Sequence, residues 1–449
     1  MAKITLFNSL GNKYEEFTPI EEGKVSIYVC GPTVYDNPHI GNMRPVIVFD
    51  QWRRLFLELG YEVTFVSNYT DVDDKIINRA KSLGIKESEL TEEVIHEFRR
   101  LVKESGSLQP DETPRPTVYM DQMIHYIGEL VDNGSAYVSS NGDVYFSVES
   151  VSDYGSLSGN TPESLNAGAR IDINDGKRSP LDFALWKKTE EGVKWNTPWS
   201  EGRPGWHTEC CVMIHSLFAK QGGKIDIHGG GFDLKFPHHE NEIAQAEAHD
   251  HHKLANYWLH NGFINIDNEK MSKSLGNVLL AKDIFAKYGG MNFRLMVLNT
   301  HYRAPLTFST QTIDEATKAL SRIQMAMKQA SVKLQLKGVD VSALKEPCDE
   351  EFIAFLCDDL NTPNALTKVY AQIKDLNSLI RVREIDVGAL SKAYGVLAHE
   401  LSVLGIDLGL PLLSDEDKQI YSEYEASKAA KDFARSDELR KVLIEKKIL

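Results

Sequence analysis

Residues 25–30 (VSIYVC) form a short apolar, β-branched run that reads as a buried strand, and the clusters GPT and DNP behind it enforce a loop. From Pro45 the spacing of Val48, Trp52, Leu55 and Leu59, closed by Gly60, predicts a helix of about four turns. Residues 62–68 (EVTFVSN) read as the next strand. Strand, helix and strand in this order open a doubly wound parallel sheet, and such a sheet takes its ligands at the carboxyl edge of its strands.

The sheet is then interrupted. Residues 109–117 (QPDETPRPT) carry three prolines, and 137–148 (YVSSNGDVYFSV) hold a hairpin signal, with Asn141-Gly142 between two strand-like runs. This insertion shows no catalytic constellation and reads as structural. The sheet resumes near Gly205. Residues 224–228 (KIDIH) alternate like a strand and run into glycines 229–231, Pro237-His238 starts a helix to about His249, and 263–266 give another strand. After Arg303 the pattern is helical over 311–332, 350–382 and 387–404, which predicts a bundle.

The expected fold is therefore α/β: a Rossmann-like doubly wound parallel sheet split by an insertion, followed by an α-helical bundle. The boundaries expected are 1–110 for the first half of the sheet domain, 111–204 for the insertion and 205–255 for the second half. A polar-loop region follows at 256–305, then the bundle at 306–405 and a C-terminal extension at 406–449.

Composition narrows the function classes. With 42% hydrophobic and 26% charged residues over 449 positions the chain is of ordinary globular type, without an apolar run that could span a membrane, and the opening MAKITLFNSL is not expected to act as a secretory signal. A cytoplasmic protein is the expectation. Five cysteines in this length are not a disulfide framework and suit metal ligands or reduced core thiols. A formal charge of −15 argues against indiscriminate nucleic-acid binding, but leaves room for a local face that reads a folded RNA by shape. Residues 424–449 hold seven Lys or Arg against five Asp or Glu, an excess that usually marks a solvated helix face.

Cys30, Cys210, His238 and Glu242 are four borderline-to-soft ligands of the kind zinc accepts, drawn from distant segments. His238 and Glu242 stand four apart on a predicted helix and project from one face. Singly, each cysteine is more often a core thiol and the His/Glu pair a surface pair. Their grouping around one predicted crevice is what favours a metal. Cys211 competes with Cys210 and His239 with His238; the spacing to Glu242 favours His238, while the pattern alone leaves the two cysteines undecided. A bound thiolate could join as a fifth ligand or displace the carboxylate, making the metal a sensor for sulfur.

Beside these lie two candidate nucleotide-binding segments. His39, Ile40, Gly41 and Asn42 follow a strand and open a helix, where amides and the dipole favour a phosphate. His39 and Asn42 can donate to phosphate oxygens, and Gly41 lets the backbone approach a purine. Lys270 and Lys273, in EKMSKSLGN at 269–277, sit on a loop suited to closing over a polyphosphate. Gly231 and Asp233 follow a strand end, and Asp233 could accept from ribose hydroxyls. The plainer alternatives are a tight turn for the glycines and a solvated loop for the lysines.

Together, HIGN at 39–42 and KMSKS at 270–274, flanking a split sheet, resemble the class I aminoacyl-tRNA synthetases. CGPTVYDNPHIGN, NYTDVDDKI, YGSLSGN, GARIDIND, PWSEGRPGWHTEC, DIHGGGFDLKFPHHENEIAQ and HYRAPLTFS are similar to the cysteine-specific branch of that family. The resemblance implies zinc on Cys30, Cys210, His238 and Glu242, preferring Cys210 to Cys211. It implies ATP contacts from the His39 region, Asp233 and Lys273, and a cysteine pocket including Gly31, Thr70 and Trp206. ATP with Mg²⁺, L-cysteine and tRNA(Cys) are the implied partners, with a monomer expected and no editing domain required.

Position 42 is Asn where the family signature often has a second His, which changes the contact but keeps a donor. The family pattern usually runs on beyond DFARSDELRKVLIEKKIL with a short tail carrying a tryptophan, associated with anticodon recognition, so the extension at 406–449 is expected to be abbreviated. Two rivals share these features. A paralogous ligase would join cysteine to an amino sugar, and the long helical region disfavours it. A non-catalytic zinc-dependent RNA-binding protein has no need of Lys270, Lys273, His39 and Asp233 together.

Overall fold

The computed structural model describes residues 3–160, 176–266 and 278–449, together with the backbone of 269–270. Lys273 and the GARIDIND stretch at 168–175 lie outside the described residues. Strand β1 (Lys24–Val29) pairs in parallel with β2 (Glu62–Ser67) on one side and with β3 (Ile225–Gly231) on the other. Strand β4 (Ala255–Asn261) joins β3, again in parallel, and the order across the sheet is β4-β3-β1-β2. The direction of winding therefore reverses between β1 and β3, the place where an open sheet leaves a crevice.

Three helices matter for the site: α1 (Ile40–Glu58) between β1 and β2, α2 (Trp206–Leu217) ahead of β3, and α3 (Glu240–Asp250) between β3 and β4. Each strand sends alternate residues to opposite faces, and both faces are covered. Ile27, Val29, Ile227 and Leu259 share one core with Ile47, Phe49 and Trp52 of α1. Tyr28, Val66 and Trp258 share the other with Ile214 of α2 and Ile243 of α3. A Cβ at Gly229 would stand 2.2 Å from the Phe49 ring, so the glycine lets α1 lie directly on β3.

Several elements differ from expectation. Helix α1 begins at Ile40, where the HIGN turn was expected to open a helix and five residues ahead of the periodic run counted from Pro45; the proline sits inside it and leaves the carbonyl four residues back, Gly41, without that helical partner. The glycines at 229–231 continue β3. Regular helix α3 starts at Glu240, after an irregular turn Lys235–His239 in which Phe236 is extended. The expected hairpin is part of a five-stranded antiparallel sheet, Ala136–Val138, Val144–Phe146, Phe183–Lys188, Glu201–Pro204 and Trp195–Asn196. A strand at Leu306–Phe308, too short to break the helical pattern, pairs with Ile264–Ile266, whose other edge takes Glu269–Lys270.

The bundle contains Thr310–Leu336, Glu350–Cys357, Thr362–Ile380 and Val387–Val403. The helix expected over 350–382 is thus two helices. Asp359 and Leu360 adopt φ of 51° and 53° between them, and Asn361 caps the second by accepting from the Asn364 N–H at 3.2 Å. An Asn-Thr-Pro run is a helix start, and that signal outranks the continuous apolar spacing. Among the described residues no helix is long and apolar enough to cross a membrane.

Candidate active site

The crevice at the carboxyl ends of β1 and β3 is a cavity of about 470 Å³. Cys30, Gly31, His39, Gly41, Asn42, Trp206, Gly231 and Asp233 all line it, so most of the residues singled out in sequence meet here. Gly31 has no room for a side chain: a Cβ would fall 1.6 Å from the Asn68 carbonyl oxygen. Its N–H donates to Asn68 Oδ1 at 2.9 Å, which fastens the end of β1 to the loop after β2.

The start of α1 is closed on itself. His39 N–H donates to Asn42 Oδ1 at 3.0 Å, and Asn42 N–H donates to the His39 carbonyl at 2.9 Å. The Asn42 oxygen is thereby committed to the backbone, and its NH₂ is the end left to donate. The Ile40 N–H donates to Leu279 O at 3.0 Å, and Ala281 N–H to Pro38 O at 2.8 Å. Three of the amides expected to cradle phosphate, those of His39, Ile40 and Asn42, are therefore engaged within the protein. The same bonds tie the HIGN turn to the chain emerging from 271–277. Two residues on, buried Arg44 donates to Phe263 O at 2.7 Å and Tyr302 O at 3.1 Å, holding α1 against the small sheet that carries Lys270 in its backbone register opposite Asn265.

At the inner wall stands a cluster of soft donors. The ligand atoms of Cys30, Cys210, His238 and Glu242 all lie within 4.8 Å of one another. The two sulfurs are 3.6 Å apart, Cys210 Sγ is 3.8 Å from His238 Nε2, and His238 Nε2 is 2.8 Å from Glu242 Oε1. Two thiolates on one tetrahedral zinc stand about 3.8 Å apart, given Zn–S bonds of about 2.3 Å. The donor set and its spacing therefore fit such an ion. Cys211 points elsewhere, its sulfur 3.5 Å from Glu242 O and 3.7 Å from His207 O.

Charge in the cluster is organised around Glu242. Burial pushes its carboxyl up, but His228 and His238 outweigh it and hold the group well below the usual carboxylate range. Glu242 in turn overcomes the burial of His238 and holds that imidazole up at about 10. The hydrogen bond with Cys30 leads in lowering the Cys210 thiol to about 6, against the effect of burial. One wall of the cavity continues this cluster: Trp206 stacks on His238 with ring centroids 4.1 Å apart and planes 17° from parallel.

Thr70 does not line the cavity. It is buried, accepts from Asn68 Nδ2 at 3.2 Å and donates to Glu209 Oε2 at 2.9 Å, so it supports the Asn68–Gly31 contact from behind. Four groups went unremarked in sequence. Asn68 and Glu209 bridge Gly31, Thr70 and α2, while His228 Nε2 meets Glu242 Oε2 at 2.6 Å and His260 meets His239 at 2.8 Å. His239 Nε2 approaches Cys30 Sγ at 3.3 Å, and Cys30, His228, His239 and Glu242 form a second overlapping group of ligand atoms within 4.8 Å. The alternation of KIDIH, which places His228 on the same face as Asp226, was the available signal for that residue.

Residues 16–318 match the model for the class I (C) tRNA synthetase catalytic domain, and 351–409 match a DALR domain. The chain is 46% identical over 444 residues to the cysteine--tRNA ligase of Acholeplasma laidlawii, covering 99% of both chains. It is 44% identical to that of Staphylococcus haemolyticus, covering 99% of this chain and 97% of the relative. Among solved structures, methionyl-tRNA synthetase of Mycobacterium tuberculosis bound by methionyl-adenylate superposes with a TM-score of 0.61 at 14% identity, over 86% of this chain and 93% of that one. A ternary LeuRS–tRNA–LeuAMS complex from Agrobacterium radiobacter gives 0.62 at 11%, over 87% and 84%, which extends the likeness of fold.

Proposed function

Because the chain belongs to the cysteine--tRNA ligases of the class I aminoacyl-tRNA synthetase family, we propose that it selects its amino acid through a zinc ion held by Cys30, Cys210, His238 and Glu242. It is a ligase that joins cysteine to tRNA at the expense of ATP. The observation that carries the zinc reading is that Cys30 belongs both to the donor cluster and to the cavity wall. When bound, the ion supplies a bond to sulfur that the oxygen of serine does not match, a distinction that size alone would leave at about 10–200-fold.

In this reading Gly31 and Trp206 form the cysteine pocket, with Thr70 acting behind it through Asn68 and Glu209. The Asn42 NH₂ and His39 face the phosphates of ATP, the backbone at Gly41 and Gly231 admits the nucleoside, and Asp233 accepts from the ribose. Lys270 and Lys273 close over the phosphates, whose Mg²⁺ arrives with ATP. A cysteine carboxylate oxygen attacks the α-phosphorus, the bond to the β-phosphate breaks, and pyrophosphate leaves. A ribose hydroxyl of the terminal adenosine of tRNA(Cys) then attacks the carbonyl carbon, and AMP leaves. Positioning and charge stabilisation are the main demands on the protein. All these residues come from one chain, so we read the working form as a monomer, acting in the cytoplasm where ATP, tRNA and reduced thiols coexist.

The test is paired. Cysteine-dependent exchange of pyrophosphate into ATP and charging of a tRNA(Cys) transcript are followed before and after zinc removal. Loss of exchange on depletion and its return with zinc support the reading; undiminished preference for cysteine over serine without zinc would overturn it while leaving the ligase activity standing. Lys273→Ala should slow adenylate formation on the order of 100-fold, the scale of removing one transition-state donor, with cysteine binding little changed. A normal single-turnover rate in that variant would contradict the role given to the loop.

A further inference from the structure

Away from the cavity, a second mixed set of ligand-type side chains meets at the junction between the sheet domain and the bundle. The donor atoms of Glu58, Cys348 and His399 all lie within 4.8 Å of one another. Glu58 is the last residue of α1, where the carbonyl end of the helix disfavours an acid, so its placement does not serve the helix.

The tautomer of His399 narrows what can sit there. Its Nδ1 is 2.8 Å from the Glu346 carbonyl oxygen, which can only accept, so Nδ1 carries hydrogen. Its Nε2 faces Glu58 Oε2 at 2.9 Å. Two lone pairs cannot stand opposed at that distance, so either a proton, carried by Nε2 or by the carboxyl, or a cation lies between the two groups. A histidine whose Nδ1 is spent on a backbone carbonyl is the usual presentation of Nε2 to a metal. Cys348 supplies a third donor, which a simple imidazolium–carboxylate pair does not need.

The bundle holds two of the three donors in place by itself. The 346–349 loop lies tight on the His399 helix, since a Cβ on Gly395 would come within 2.7 Å of Glu346 Cγ, and Asp349 N–H donates to Glu400 Oε1 at 3.0 Å. Cys348 is partly buried within reach of Glu58 and His399. A sulfur among the three donors suits a cation that binds sulfur strongly, which disfavours calcium and magnesium. Side-chain exposures of 21% for Glu58 and 37% for His399 leave room for water as a fourth ligand.

We propose that Glu58, Cys348 and His399 form a second site for a thiophilic divalent cation of the zinc class, which when filled ties the end of α1 to the helix bundle. The probe is Co(II) added to metal-stripped full-length protein, with absorption from sulfur-to-cobalt charge transfer as the signal, and Zn(II) stoichiometry by equilibrium dialysis. The wild type should take two equivalents, and His399→Gln and Cys348→Ser one each. Cys210→Ser should keep the second equivalent, with its charge-transfer band and a rise in melting temperature on metal addition. Should Cys348→Ser fail to fold, His399→Gln and Glu58→Gln carry the comparison. One equivalent in the wild type, lost in Cys210→Ser and kept in His399→Gln, overturns this proposal and leaves the first site standing. One equivalent kept in Cys210→Ser and lost in His399→Gln does the reverse.

Discussion

Serine in place of Cys210 should strip the protein of its cavity-wall zinc and reduce its preference for cysteine over serine by about 100-fold or more. Cys210 is buried, with its sulfur 3.6 Å from Cys30 Sγ and 3.8 Å from His238 Nε2, so the substitution changes the donor and little else. Losing a partner that only orients a ligand already costs about 10–100-fold in metal affinity; losing a ligand costs more. What remains would weigh cysteine and serine by size, a difference of about 10–200-fold. Zinc content by mass spectrometry and exchange rates with each amino acid give the answer. Cys211→Ser is the control: that sulfur faces two backbone carbonyls and should leave zinc and selectivity in place. His238→Ala should behave like Cys210→Ser, and normal zinc content together with normal selectivity in both would remove the hypothesis.

The contrast between Cys210 and Cys211 also shows what a linear pattern can carry. Two adjacent cysteines on a helix differ by about 100° in direction, so one faces the crevice and its neighbour the α3 backbone. Nothing in the string CC says which. Strand β1 was readable because both faces of a parallel sheet are covered and its apolar run is continuous, β2 from its β-branched and aromatic residues, and β3 from the alternation of KIDIH. The start of α1 was marked by the HIGN turn, although its apolar spacing is regular only from Pro45, and the break at 358–361 was hidden by apolar spacing that carries on across it. Positions His39, Gly41, Asn42, Gly231 and Asp233 were legible as candidates because turn chemistry marks strand ends. The Asn68, Glu209 and His228 contacts were not, since a buried polar residue shows its partner only when distant segments meet.

The break at 358–361 leads to the second large effect: Asp359→Ala should destabilise the full chain by several kcal/mol, about 1–3 for each donor left without its acceptor, Phe7 N–H and the buried Tyr302 OH, while the part-exposed Arg303 adds less. The Asp359 side chain is 3% exposed and accepts from Phe7 N–H at 2.9 Å, Tyr302 OH at 2.7 Å and Arg303 Nε at 2.7 Å. Its backbone joins in, with N–H donating to Thr5 O at 2.9 Å and its carbonyl accepting from His301 Nε2 at 2.9 Å. One residue thus stitches the N-terminal hairpin of Thr5–Asn8 and Lys13–Glu16, the 301–303 turn and the 358–361 break in the bundle. Its φ of 51° adds a backbone cost of about 1 kcal/mol for alanine that glycine escapes and asparagine tolerates. Denaturant melts should therefore rank the losses Asn below Gly below Ala. Equal losses for glycine and alanine would deny the backbone any part. Because none of these contacts involves the cavity, pyrophosphate exchange measured below the melting range should survive in Asp359→Asn, while tRNA charging falls as the bundle loses its fixed angle to the sheet. A parallel fall in both activities would mean instead that the junction and the crevice are one mechanical unit, joined through the 301–304 turn that Arg44 grips from α1.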